Sequence, residues 1–192
     1  MVDLSLHLLD LLQNSAHAGA RNVEVLIVEN LEQDLLEVTV SDDGKGITSD
    51  EIERVLDPFY TTSTKKKVGL GLPLVAQAAM MAGGSLHIDK SDMNGTRVVV
   101  KYRLNHPDRQ PLGDIVATLV SFSAGNPEVR VVFTYRGPQG EYSLDTNSIW
   151  DDISEYGRNQ IMFLSKFEEE LTEGLNSAGY RPDRGGFVFE ID

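Results

Sequence analysis

The order of apolar and polar residues in the first part of the chain predicts a helix followed by a hairpin. Apolar side chains recur at helical spacing over residues 3–19, and Gly19 is a residue at which such a helix can end. Two β-rich runs follow at 22–28 and 35–40, separated by a polar stretch that is typical of an antiparallel hairpin. We therefore expect a helix with one buried face beside two paired strands.

The pattern then becomes irregular before regular elements return. Residues 49–56 predict a short helix, whereas 57–68 show no period. Helical spacing returns over 70–82, and strands are predicted at 85–89 and 96–104. Together these elements predict an α+β fold, a two-layer α/β sandwich in which helices cover a mixed sheet.

A segment without helical spacing or strand alternation divides the chain. Two prolines and a glycine interrupt the pattern at 106–114. We therefore predict one domain over residues 1–104, a linker over 105–111 and a small α/β domain over 112–192.

The pattern of the second domain predicts a helix, a hairpin and a second helix. The first helix starts near residue 112, the hairpin joins 129–135 to 141–145, and an amphipathic helix with an acidic outer face covers 161–175. Trp150 is assigned to a core or an interface. The acidic and basic residues of this domain are not spaced in a way that indicates a catalytic or metal site. Its role is therefore left open.

Composition and charge exclude several kinds of protein. The 192 residues include no cysteine, which excludes disulfides, thiolate metal sites and a cysteine nucleophile. The formal net charge is −13, with 15 acids and 10 bases over 1–104 and 15 acids and 7 bases thereafter, so neither part favours nucleic acid. The sequence has no cationic leader and no apolar stretch of bilayer length. We expect a cytoplasmic protein that binds neither nucleic acid nor membrane, and its oligomeric state is left open.

Asp10 and Asn14 are the first residues that suggest chemistry. They are four residues apart and therefore share one face of the predicted first helix. A carboxamide oxygen suits Mg²⁺, and a nearby carboxylate can orient or deprotonate a water that attacks a phosphate. A solvated acid and a surface amide would give the same pattern.

A second candidate site lies in the segment VSDDGKGI. Asp42 is expected at the carboxyl end of a strand, where a carboxylate can accept a hydrogen bond from the exocyclic amine of adenine. Gly44 and Gly46 leave the backbone free to approach a flat ligand. Thr96 opens a later strand and could contact a buried polar group. The structural alternatives are a turn capped by Asp42 and a threonine that simply favours a strand.

The segment DPFYTTSTKKKVGLGL, residues 57–72, has the composition of a phosphate-binding loop. Lys65, Lys66 and Lys67 form the only basic run in the sequence, and two glycines then open a helix whose N–H groups and dipole would face an anion. The segment lacks the Lys-Ser/Thr ending of a P-loop and is not a dinucleotide-binding fingerprint. A solvated loop is the alternative for the lysines taken singly.

Taken in order, these motifs resemble those of the GHKL superfamily, which includes gyrase, heat-shock chaperone, histidine kinase and mismatch-repair ATPases. LLDLLQNSAHAGA resembles the N box, and D-x-G-x-G from Asp42 resembles the first glycine box. DPFYTT followed by GLGLPLV is similar to the phenylalanine box and second glycine box of histidine kinases. The resemblance covers 1–104 and implies the Bergerat-type ATP-binding fold, with ATP and Mg²⁺ as cofactors.

The resemblance also implies roles for single residues. Asn14 would hold Mg²⁺, and Asp42 would bind the adenine amine. The residues that would line the base and the phosphates are Gly44, Gly46, Ile47, Lys65, Lys66, Lys67, Gly69, Leu70, Gly71, Leu72 and Thr96. Asp10 takes the position of the glutamate base of hydrolysing members, one methylene shorter, and is the candidate general base. His17 stands where many kinases have a lysine.

The whole chain is similar to a small family of bacterial ATP-binding proteins that are often encoded beside iron-only hydrogenase subunits. This similarity rests on LSLHLLDLLQNSAHAGA, DPFYTTSTKKKVGLGLPL and HPDRQPLGDI. It implies a protein partner, with hydrogenase-complex subunits as the specific expectation. Three functions stay open: a nucleotide-dependent regulatory or sensor module, a protein kinase acting on a separate partner, and a slow ATPase that uses Asp10.

Overall fold

A computed structural model describes residues 3–48, 71–157 and 159–183 of the chain. Within these ranges the helices are α1 (Leu4–His17), α2 (Gly71–Met81), α3 (Ile115–Gly125), α4 (Thr146–Asp152) and α5 (Gln160–Ser177), with a short 3-10 turn at Ser154–Tyr156. The strands are β1 (Asn22–Asn30), β2 (Leu35–Asp42), β3 (Ser85–Lys90), β4 (Thr96–Arg103), β5 (Arg130–Gly137) and β6 (Gly140–Asp145). The helix predicted at 49–56 lies outside the described residues.

The strands form one mixed sheet in the order β3-β4-β2-β1-β5-β6. β1 pairs antiparallel with β2, so that Val25 lies opposite Val40, and parallel with β5, so that Val25 lies opposite Phe133. The other neighbouring strands are antiparallel. The single parallel pair in this sheet is therefore the junction between the two parts of the sequence.

Alternation along the strands places one face of the sheet against the helices. Val23, Val25 and Ile27 of β1 are almost completely buried, whereas the residues between them are more exposed. Leu8 and Leu12 of α1 belong to the same core and are spaced one turn apart. The predicted fold class, a two-layer α/β sandwich with a mixed sheet, is confirmed.

The predicted second unit contributes strands to this same sheet. Phe133 and Tyr135 of β5 are fully buried in one core that also contains Leu36 of β2. Trp150 of α4 stacks on Phe163 of α5, with 4.3 Å between ring centroids. The boundary at 105–111 thus lies between segments that share a sheet and a core, and the division into domains stays a prediction. In the described ranges, no helix combines the length and the apolar character needed to cross a membrane.

Candidate functional site

The buried carboxylate of Asp42, the last residue of β2, is the centre of the candidate site. Asp42 is only 4% exposed. Oδ1 accepts hydrogen bonds from the backbone N–H groups of Gly44 at 2.9 Å and Thr96 at 3.1 Å, and Oδ2 accepts one from the Ser15 hydroxyl at 2.7 Å. A carboxylate offers roughly four acceptor positions, so these donors leave about one acceptor position on Oδ2.

Close packing around Asp42 requires glycine at two positions. A Cβ on Gly95 would overlap the carbonyl oxygen and the carboxylate of Asp42. A Cβ on Gly44 would come within 2.9 Å of the Ala18 Cβ, which is closer than packed carbon atoms allow. These two glycines let three backbone segments meet at one carboxylate.

The segment after β2 is fastened to the end of α1. Asp43 Oδ1 accepts from the backbone N–H groups of Arg21 at 2.7 Å and Asn22 at 2.9 Å, and the Lys45 N–H donates to the Ala18 carbonyl at 3.0 Å. Burial acts to raise the pKa of Asp43, but the hydrogen bonds from Asn22 and Arg21 outweigh it and lower that pKa below its ordinary value. The glycine-containing loop is therefore held in a fixed position beside α1.

Asp10 and Asn14 lie on the exposed side of α1, next to the start of α2. The position that a Gly71 side chain would occupy is 3.6 Å from the Asp10 Cβ and 3.8 Å from the Asn14 Nδ2. The missing side chain at Gly71 leaves the backbone of α2 open toward this acid and amide pair. The N-terminal end of a helix, which carries a partial positive charge, is thereby placed beside Asp10 and Asn14.

The structure brings the predicted residues into two neighbouring groups beside α1. Asp42, Gly44 and Thr96 form the buried group, and Gly46, with a φ of +74°, lies against the Gly95 carbonyl. Asp10, Asn14 and Gly71 form the exposed group described above. Ile47 and Leu72 are half-buried against the hydrophobic core. Lys65, Lys66, Lys67, Gly69 and Leu70 lie outside the described residues.

Sequence reasoning missed the contributions of Ser15 and Gly95. Ser15 is a small residue next to Asn14 to which the motifs assign no role, and its partner Asp42 is 27 residues away. Gly95 has the sequence context of an ordinary turn residue before a strand. In the sequence, only the residue types of Ser15 and Gly95 could have pointed to the site. Their contacts with Asp42 form only when β2 pairs with β4 and α1 packs on these strands.

One family model matches more than half of the chain. It is described as histidine kinase-, DNA gyrase B- and HSP90-like ATPase, and it matches residues 2–106, which are 105 of the 192 residues. The chain belongs to this ATPase family. The GHKL identification made from the motifs is confirmed, and the chain carries a histidine kinase-like ATP-binding domain.

Sensor kinases are among the relatives of this GHKL chain. The sensor-type histidine kinase PrrB of Mycobacterium leprae is 33% identical over 87 residues, which cover 44% of this chain and 19% of that protein. The sensor histidine kinase ZraS of Escherichia coli O157:H7 is 26% identical over 106 residues, which cover 55% of this chain and 23% of that protein. The chain thus spans about a fifth of the length of these relatives.

A solved structure shares the fold beyond the family match. The crystal structure of the N-terminal domain of a DNA repair protein has a TM-score of 0.50 and 17% sequence identity, and the likeness covers 76% of this chain and 52% of that chain. Residues 2–106 are about 55% of the GHKL chain. The shared fold therefore includes part of the region after residue 106.

Proposed function

We propose that this chain binds Mg-ATP at the candidate site and acts as a nucleotide-dependent regulatory or sensor module. The observation that carries the proposal is the buried Asp42 carboxylate, which three donors hold in place with an acceptor position left over. Adenine presents an exocyclic amine, which is a donor. A fixed, buried acceptor selects such a donor strongly, because a ligand without the amine would leave the carboxylate unpaired.

The residues around Asp42 and Asn14 fit the two cofactors. Gly44, Gly46 and Thr96 would line the base beside Asp42, together with Ile47. Asn14 offers an amide oxygen, a hard neutral ligand of the kind that Mg²⁺ accepts. Among the described residues no group of three His, Asp or Glu side chains is placed to hold a metal ion. The ion would therefore keep water and phosphate oxygens as its remaining ligands, which is usual for Mg²⁺ bound with a nucleotide.

The phosphates would lie where α2 begins. Gly71 and Leu72 supply backbone N–H groups at the positive end of the helix, within reach of Asn14. We propose the same task for five residues of the preceding segment, namely Lys65, Lys66, Lys67, Gly69 and Leu70. Bound ATP would then join α1, β2 and α2 through one ligand.

Two alternatives concern the fate of the γ-phosphate. The exposed Asp10 carboxylate beside Asn14 and Gly71 favours a slow ATPase in which Asp10 is the general base. The similarity to sensor histidine kinases favours transfer of the phosphate to a separate protein partner. Phosphate release and label transfer measured with γ-labelled ATP distinguish the ATPase, the kinase and the pure sensor.

The region after residue 106 is the part of the chain that would report the nucleotide state. We propose a protein partner for it, and the similarity to proteins encoded beside iron-only hydrogenases makes hydrogenase-complex subunits the specific expectation. Cytoplasmic localisation is part of the same proposal.

The test is calorimetric titration of the folded protein with Mg-ATP. Asp42→Asn removes the charge and turns part of the acceptor into a donor, and Asn14→Ala removes the metal ligand. Hydrogen bonds to charged groups contribute ~1.5–3 kcal/mol, so we expect Asp42→Asn to lose at least about tenfold in affinity. Asn14→Ala should also weaken binding, because the Mg²⁺ ion loses a ligand. Asp92→Asn on an exposed turn and Gln13→Ala on α1 are the matched controls and should bind as wild type. Unchanged affinity in both site variants would exclude this site.

A further inference from the structure

Helix α1 connects the candidate nucleotide site to the segment that follows β4. Its central and C-terminal turns carry Asp10, Asn14 and Ser15, and Ser15 is hydrogen-bonded to Asp42. Its first turns are held from the other side by residues 109–113, which we call the strap. The family match ends at residue 106, so the strap belongs to the part of the chain that the family does not describe.

Two hydrogen bonds join the strap to α1. The Leu4 N–H, the first donor of the helix, donates to the Pro111 carbonyl at 3.0 Å. His7 Nε2 lies 3.1 Å from the Gln110 Oε1, which is an acceptor. Burial lowers the pKa of His7 against the opposing effects of Gln110, Asp10 and Asp3, so the ring is neutral at neutral pH and donates one proton to the amide oxygen. His7 is only 7% exposed and Gln110 is half-buried, so this pair is partly shielded from competing water.

The strap is itself braced by a buried arginine. Arg109 is 3% exposed, and its guanidinium donates to the Leu104 carbonyl at 2.6 Å and to the Gln110 carbonyl at 3.0 Å. Burial of a guanidinium is costly unless its N–H groups are paired. Here the hydrogen bond from Arg109 fixes the backbone of Gln110. The Gln110 side chain, which is hydrogen-bonded to His7, therefore extends from a fixed backbone.

His7, Asp10 and Asn14 lie near one stripe of α1, at positions i, i+3 and i+7. A shift or rotation of the helix at His7 therefore moves the acid and amide pair relative to Gly71. We infer that Gln110 is a positioning residue, which through its hydrogen bond to His7 sets the placement of α1 and hence the affinity of the site for Mg-ATP. This inference rests on the proposed function.

The test is the dissociation constant for Mg-ATP, measured at a temperature at which every variant is fully folded. Gln110→Ala removes one hydrogen bond, which corresponds to about fivefold weaker binding if its loss acts on α1. Gln110→Glu keeps an acceptor oxygen and should stay within about twofold of wild type on the same reasoning. Asp108→Ala lies close by on the chain, is exposed and has no hydrogen bond to α1 in the described structure, so its affinity should not change.

A second variant separates positioning from loss of stability. His7→Leu removes the other half of the pair, and the double variant with Gln110→Ala should bind no more weakly than either single variant. Amide hydrogen exchange along α1 should increase in Gln110→Ala and not in Asp108→Ala. If Gln110→Ala does not fold, His7→Leu gives the same test alone.

The outcomes are distinct. Equal binding by wild type and Gln110→Ala overturns the inference and leaves ATP binding in place. Equal weakening of Gln110→Ala and Gln110→Glu, or additive losses in the double variant, also overturns it, since the acceptor oxygen would not be the cause. Absence of ATP binding by the wild-type chain refutes the proposed function itself.

Discussion

Two buried helical serines, Ser15 and Ser123, allow one chemical change to be compared in two environments. Ser15 is 3% exposed and donates to the Asp42 carboxylate at 2.7 Å, which is much closer than the 3.5 Å to the Leu11 carbonyl. Ser123 is 4% exposed, and its hydroxyl is a buried polar atom without a hydrogen-bond partner among the described residues. Serine to alanine removes the same atom from a helix in both cases.

The expected free energies of unfolding differ in sign. Replacing serine by alanine in a helix gains ~0.5 kcal/mol from propensity. At Ser15 the loss of a bond to a charged, buried acceptor costs ~1.5–3 kcal/mol, so Ser15→Ala should destabilise the protein by about 1–2.5 kcal/mol. At Ser123 the desolvation cost of an unpaired hydroxyl, ~1 kcal/mol, is removed and the propensity gain adds to it, so Ser123→Ala should be stabilising by about 1.5 kcal/mol.

The assay is urea unfolding of the wild type and both variants, followed by circular dichroism. Midpoints should move in opposite directions while the dependence of the free energy on urea concentration stays constant, because neither change alters the surface exposed on unfolding. A Ser123→Ala protein that is destabilised as much as Ser15→Ala would refute the reasoning, since the hydrogen bond to Asp42 would then not decide the difference.

Two further predictions concern packing and pH. Gly95→Ala would place a Cβ on the Asp42 carbonyl oxygen and carboxylate, so we expect the free energy of unfolding, measured by thermal unfolding, to fall by more than ~2 kcal/mol. Gly125→Ala is the control: nothing lies within 4 Å of its new Cβ, so it should be neutral or stabilising. The pKa of His7 is lowered in the folded state from its ordinary value of 6.5, so the unfolded chain binds this proton first and stability should fall as the pH drops below about 6.5. His7→Gln should remove that part of the pH dependence in unfolding titrations, and an unchanged pH profile would show that His7 is not its source.

Most regular elements could be predicted from the sequence because their signals are local. The helical spacing of Leu4, Leu8 and Leu12 and the alternation of Val23, Val25 and Ile27 follow directly from which side of each element is buried. Element ends differed by a few residues at most positions. Helix α4 was not predicted, because seven residues that begin after the Asp145 cap carry too short a period to distinguish from a loop.

The candidate site was predictable as a set of residues but not as a geometry. Asp42 could be placed at the end of a strand, and Asp10 and Asn14 on one helical face, from spacing alone. The family match confirms the type of domain that these motifs indicate. The roles of the individual residues remain proposals, including those of the lysines that lie outside the described residues.

The sequence by itself determined the local periods, the order of the ATP-site motifs and the class of fold. Only the tertiary structure decided that β5 pairs parallel with β1, that Ser15 and Gly95 meet at Asp42, and that Gln110 reaches His7 across 103 residues. The physical reason is that a period reports which side of an element is buried, but not what buries it. Partners that are distant in sequence are selected by packing of the shared core and by the need to pair every buried polar group.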